Sequence, residues 1–254
     1  MNFDEVVSHH VLDHAIRPLF AIGGIRFVLT KHLLTMWFLG AALLAAVCLL
    51  SRGRSKAARL ARMAVEMVVL FIRNDIVDPI LGHGGRAYLH YFLTLFFFIL
   101  LCNLAGLVPF GATATGNIAV TAALASCTFG LIVFGGIRAQ GLLSFLKHIV
   151  PSGLPWAILP IMIVVEVAGL FAKCIALTIR LFANMIAGHI VALGFLSLIF
   201  TFAASSRLMG IAVAPFSVAL VVFVNALEIL VCLLQAYIFT MLTAVFVGGA
   251  LHPH

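Results

Sequence analysis

Charge is what this sequence has least of. Asp, Glu, Lys and Arg together make up 9% of its 254 residues, against 64% apolar. A soluble domain carries about 25% charged residues, so a water-facing globule is excluded. Unbroken runs of Leu, Ile, Val, Phe and Ala take the place of that surface, several of them reaching the ~20 residues that cross a bilayer. A β-barrel is excluded too, because it needs roughly ten-residue strands of alternating polarity. Cysteine is sparse, and Cys48, Cys102, Cys127, Cys174 and Cys232 fall singly inside apolar runs. No disulfide or zinc framework is expected from them, and they read as small core hydrophobes. Also missing are a phosphate-cradling Gly-rich loop, a His-Glu-x-x-His helix and closely repeated arginines. ATP chemistry on this chain, an intramembrane hydrolase and a voltage sensor go with them. Internal repeats with paired broken helices, expected of a stand-alone secondary ion transporter, are not visible either.

The composition therefore describes an all-α polytopic membrane protein, with about five membrane-embedded helices. The formal charge of +7 suits an orientation signal better than nucleic acid, since no aromatic residues interleave with the basic ones. Arg52, Arg54, Lys56, Arg59 and Arg62 follow the first apolar run, which places that end on the cytoplasm-like side and the N-terminus outside. Arg17, Arg26 and Lys31 on the other flank make the asymmetry incomplete. Asp4, Glu5 and Asp13 with three histidines are the reverse of a cleavable leader, so none is expected. His10 and His14 are four apart, as metal ligands on one helical face are, but no cysteine or third ligand accompanies them. No metal or cofactor is expected, and residues 1–31 are read as an outer segment at the membrane interface.

The expected spans are 32–50, 86–108 and 117–137. Between the first two, residues 55–73 differ in kind: Arg59, Glu66 and Arg73 recur at sevens on one stripe while Leu60, Met63, Leu70 and Phe71 cover the rest. That pattern predicts an interfacial amphipathic helix, with Arg62 and Glu66 spaced for an i,i+4 pair and Asp75, Asp78 and Pro79 ending it. Two long arms follow, 156–204 and 208–251, parted by one turn at Ser205-Ser206-Arg207. At 1.5 Å per residue each would reach about 60 Å, twice the ~30 Å of a hydrocarbon core. Nothing inside the arms has turn chemistry, so a long, steeply tilted helical hairpin is expected.

The hairpin holds the chemistry. Arg180 is a guanidinium that cannot shed its proton, in the middle of an apolar run. Placing it at bilayer depth costs from ~2.5 to more than 10 kcal/mol unless it finds a partner or water. Glu166, Lys173 and Arg180 are spaced seven and seven on one stripe, with Asn184 a turn further on. His189, nine positions from Arg180, points to the opposite side. Glu228 and Gln235 share a face of the second arm, with Asn225 one turn before. Glu166 and Lys173 read equally as paired or snorkelling groups. His189 and Glu228 read either as a proton-exchanging pair or as a structural hydrogen bond. Glu166 is ~21 Å from Arg180 along a straight helix, and Glu228 is the one other acid in reach. A carboxylate from another subunit is the natural partner.

These residues resemble a known family. Arg-Leu-Phe-Ala-Asn-Met-Ile-Ala-Gly-His at 180–189 is similar to the signature of subunit a of F-type ATP synthases. Ala226 to Thr240 resembles its C-terminal motif, and Asn103-Leu-Ala-Gly-Leu-Val-Pro109 a segment after an earlier span. The resemblance runs from about residue 70 onward, in the family's order. It implies a stator beside a rotating ring of c subunits, with two aqueous half-channels, b-type peripheral-stalk subunits and other synthase subunits as partners, and no catalytic site of its own. Arg180 would face the ring carboxylate and block a short circuit. Asn184 and Gln235 match polar positions beside it, His189 and Glu228 a titratable inlet pair, and Glu166 an acidic position on the outlet side. Cys174 stands where many members have proline and Gly106 where some have aspartate, so neither inherits a role. A bacterial inner membrane is the expected location, with the mitochondrial inner membrane as the alternative.

Overall fold

The computed structural model describes residues 15–22, 25–108, 114–142 and 159–251. His9, His10, His14, Lys147, His148, Pro151 and Pro155 lie outside them. Five helices among the described residues are long and apolar enough to cross a membrane. The chain is an all-α polytopic membrane protein from Lys31 onward.

Ahead of it stands a feature that composition did not announce. Strands β1 (Ala15–Ile22) and β2 (Ile25–Thr30) pair antiparallel, Ala15 opposite Thr30 and Ile22 opposite Ile25. Residues 25–30 are rich in the β-branched and aromatic types that fit a pleated surface, too short a run to dominate a reading by polarity.

Helix α1 (Lys31–Arg52) follows directly. Trp37, Phe38, Leu44 and Leu49 on it are each more than 60% exposed, an apolar surface suited to lipid or a neighbouring helix. Helix α2 (Lys56–Phe71) starts at Ser55, whose side chain accepts from the Ala58 N–H. It buries none of its residues, and Leu60, Met63, Met67 and Leu70 are exposed. Arg62 does not reach Glu66. Its guanidinium donates to the carbonyls of Leu50, Ser51 and Gly53 at the end of α1. Those carbonyls have no intrahelical donor, so a cation there satisfies them and opposes the helix dipole.

Nor do Asp75, Asp78 and Pro79 end the helical path. A π-helical turn (Ile72–Val77) absorbs the change, and α3 (Asp78–Leu81) continues with Pro79 in its first turn. The wider π-turn just before it is where the path adjusts to a residue that has no N–H to donate. Arg73 Nε lies 3.5 Å from Asp78 Oδ2 across the turn. A 3₁₀ segment (Gly82–Ala87) leads into α4 (Leu89–Gly106), and a short 3₁₀ turn (Ala114–Gly116) into α5 (Ile118–Gln140). Asn117 caps α5 by accepting from the Ala119 N–H at 2.9 Å, and Gly141, at φ +82°, stops it in the left-handed conformation.

The last two helices are α6 (Leu159–Ser205), 47 residues, and α7 (Arg207–Leu251), 45 residues. At 1.5 Å per residue each is about 70 Å long. Ser206 alone separates them. Its N–H donates to the Phe202 carbonyl and its own carbonyl accepts from the Gly210 N–H. A Cβ on Gly210 would stand 2.6 Å from the Ala203 Cβ, so a glycine is what admits the tight reversal.

The chain divides into two compact units. One, formed by Leu43–Phe97, Thr121–Ile179 and Ala236–His254, is held by Ile72, Ile76, Leu81, Phe92, Phe96, Phe239 and Val247, all buried. Tyr91 and Thr128 hydroxyls meet at 3.2 Å, and Thr128 meets Thr243 at 3.5 Å. Phe129 stacks on Phe171 with ring centroids 5.4 Å apart. The other, formed by Met1–Ala42, Phe98–Val120 and Arg180–Gln235, contains most of the polar groups of the hairpin. Of the cysteines, Cys102 and Cys232 are buried and Cys174 half-buried, but Cys48 and Cys127 are exposed. The core-hydrophobe reading of those two is corrected: an apolar run marks membrane depth, not which side of the helix faces protein.

Candidate functional site

Arg180 stands in the second unit on the exposed side of α6. Among the described residues it makes no hydrogen bond or ion pair, with Glu228 or any other acid. Ala183 and Ala187, both exposed, occupy the same side of the helix over the next two turns. A cation, flanked by side chains that end at Cβ, is thus offered outward from an apolar helix.

The other polar residues turn to the opposing arm. Asn184 Nδ2 donates to Gln235 Oε1 at 2.9 Å. Gln235 is 3% exposed, and its Nε2 has no acceptor within the described chain. His189 lies between three groups. Its Nδ1 is 3.0 Å from the Met185 carbonyl and 3.9 Å from Glu228 Oε1, and its Nε2 is 3.1 Å from the Gly106 carbonyl. A neutral imidazole has one N–H and satisfies one of these carbonyls at a time, while the imidazolium satisfies both. Glu228 is the adjacent group that can take or return the difference. The pair has the geometry of a proton-exchanging couple: titratable, in reach of each other, with side chains 28% and 15% exposed.

A small cleft opens beside them, with Asn103, Asn184, Glu228 and Gln235 as its polar walls. Asn103 is buried in α4. Its Oδ1 accepts from Thr115 at 2.8 Å and its Nδ2 approaches the Cys232 carbonyl at 3.5 Å. The sequence marked Asn103 only as the first residue of the motif segment 103–109. Thr115 and the carbonyls of Gly106 and Met185 were missed. A backbone oxygen has no residue-type signal, so no reading of the sequence alone could have found those two.

Not every candidate joins this cluster. Asn225 is exposed one turn before Glu228. Glu166 is exposed on α6 in the first-described unit and has no ion pair or hydrogen bond among the described residues. Lys173, half-buried there, holds its Nζ 5.2 Å from the centroid of Phe246, a cation–π contact.

The profile of the ATP synthase A chain family matches residues 33–248. The chain belongs to that family. The match starts well before the point near residue 70 where recognisable motifs begin, and it takes in most of α1. ATP synthase subunit a of Myxococcus xanthus is 47% identical over 89% of this chain and 74% of its own length. ATP synthase subunit a of Chloroherpeton thalassium is 44% identical over 95% and 75%. ATP synthase subunit a 2 of Chlorobaculum tepidum is 42% identical over 97% and 72%. Arg180, Asn184, His189, Glu228, Gln235 and Glu166 all lie inside the family match.

Proposed function

We propose that this chain is the proton-translocating stator subunit of a rotary F-type ATP synthase in a bacterial inner membrane. The observation that carries the reading is Arg180: a permanent cation, exposed between small side chains, with no partner among the described residues. In hydrocarbon such a charge needs a counter-ion, and Ala183 and Ala187 leave room for a neighbouring helix to bring one close. A carboxylate on a ring of c subunits meets both requirements. The other subunits, including the b-type peripheral stalk, supply the nucleotide chemistry and hold the stator still.

His189 and Glu228 then form the inlet. A proton held by the pair passes to the cleft walled by Asn184 and Gln235 and neutralises a ring carboxylate, which can enter lipid once uncharged. After nearly a full turn the site releases its proton toward Glu166, and Arg180 receives the ionised carboxylate, because an adjacent cation favours the charged form. Arg180 itself never carries the proton. Helices about 70 Å long in a core about 30 Å thick must lie steeply oblique to stay in lipid, which runs the hairpin along the side of a ring instead of across it.

The test is Arg180→Ala in inverted membrane vesicles holding the whole complex. ATP-driven acidification is expected to fall to background while ATP hydrolysis by the soluble sector continues. Normal coupled pumping in that variant would sink the reading.

A further inference from the structure

Helix α1 fixes the depth of the corner that follows it. Its 22 residues rise about 33 Å at 1.5 Å each, against a hydrocarbon core of ~30 Å, so Arg52 at its end emerges at headgroup level. Arg52, Arg54, Lys56 and Arg59 crowd into that corner. All four are exposed, and none of their side chains makes a hydrogen bond or ion pair among the described residues. Arg62, the fifth cation, is occupied, because its guanidinium donates to the carbonyls that end α1. The one acid on α2, Glu66, stands about 10 Å further along the helix than Arg59. At four, seven and eleven residues from Lys56, Leu60, Met63 and Met67 prolong its side of α2, each at least half exposed. We propose that this corner binds anionic phospholipid. Arg52, Arg54, Lys56 and Arg59 take the phosphate-bearing headgroups, and the row of Leu60, Met63 and Met67 lies among the upper acyl chains.

A phospholipid has the same two parts in the same order, a charged head at the interface and apolar chains beside it. Guanidinium groups meet phosphate oxygens two at a time. A zwitterionic headgroup brings a cation of its own, and no carboxylate at this corner offsets four more, so the excess selects lipid of net negative charge. The depth set by α1 favours lipid over an acidic segment of a partner subunit, since headgroups and acyl chains fill that level unless something displaces them. Lipid binding at this corner needs only the membrane setting and would stand without the proton path.

The experiment reconstitutes the whole complex into phosphatidylcholine vesicles holding a trace of photoactivatable lipid, either phosphatidylglycerol or phosphatidylcholine. Adducts on residues 52–71 are counted by mass spectrometry after illumination. A juxtamembrane cation is worth roughly five-fold in its preference for anionic lipid, so the parent is expected to take the phosphatidylglycerol probe at least about five-fold over the other. Arg59→Gln is expected to lower that ratio several-fold, and adding Lys56→Gln to lower it further. Arg62→Gln removes the same charge from a group already held by α1, and is expected to change the ratio less than about two-fold. Equal losses from Arg59→Gln and Arg62→Gln overturn the site, because a diffuse positive field would do as much. Parity between the two probes on the parent overturns it with no variant needed, so a substitution that blocks assembly leaves the question decided. Few adducts from either probe, with Lys56 joined to a partner subunit by carbodiimide, overturn it too and give the face to an acidic protein segment.

Discussion

Glu228 and Arg180 show how differently two charged residues are held on one pair of helices. Glu228 lies against Gly188, within reach of His189, and lines a cleft with three amides. Arg180 touches no acid among the described residues. A group that exchanges protons needs partners on both sides of the exchange, whereas a fixed barrier needs only its charge. The expected consequence is that Glu228→Gln slows passive proton conductance roughly 10²-fold, the scale on which a positioned acid–base group acts, while the complex still assembles. Unchanged ATP synthesis in that variant would make Glu228 a structural residue.

Among the elements, close packing decides more than the polar pairs do. Gly248 of α7 lies against Ile80 of α3: an added Cβ would stand 2.9 Å from Ile80 Cγ2 and 3.1 Å from its carbonyl oxygen. Backbone cannot swing aside as a side chain can. Gly248→Val is therefore expected to cost about 1–3 kcal/mol by overpacking, read as a lowered unfolding midpoint in detergent, and a midpoint equal to that of the parent would contradict it. Arg62 makes the complementary point. Its spacing from Glu66 suggested a pair along one helix, yet its guanidinium is taken up by the carbonyls of Leu50, Ser51 and Gly53, which together use several of its donors. An i,i+4 rule describes an isolated helix, and it gives way where a neighbouring helix end competes.

At the scale of the whole molecule, the outward face of α6 should be an interface. Ala183 is exposed and Leu181 is 1% exposed, two residues apart on one helix. With Cys48 and Cys127, the exposed native thiols, first replaced by serine, Ala183→Cys labelled with a thiol-reactive photo-cross-linker is expected, on illumination in membranes, to cross-link to a small carboxylate-bearing subunit. Leu181→Cys is expected not to. The reverse pattern, or a product from neither position, would place the ring elsewhere. Cross-linked bands identified by mass spectrometry settle the partner's chemistry.

The apolar runs, the absence of turn chemistry between 160 and 203 and the anomaly of Arg180 were all legible in the sequence, because each is a property of composition or of one helix's period. Membership of the family was legible as well, since three motifs stand in order along the chain. Beyond the pairing of His189 with Glu228, the sequence did not reach the features that depend on two helices meeting. The Asn184–Gln235 bond joins residues 51 apart, and the register between two uniformly apolar arms leaves no periodic trace in either. The contact of Gly188 with Glu228 is set by that register, while the Gly106 carbonyl on His189 and the Thr115–Asn103 bond depend on where α4 and the turn after it lie. Sequence alone determined which residues bear charge at membrane depth. Tertiary structure decided which of them face each other, because contact is made between surfaces and a sequence describes one surface at a time.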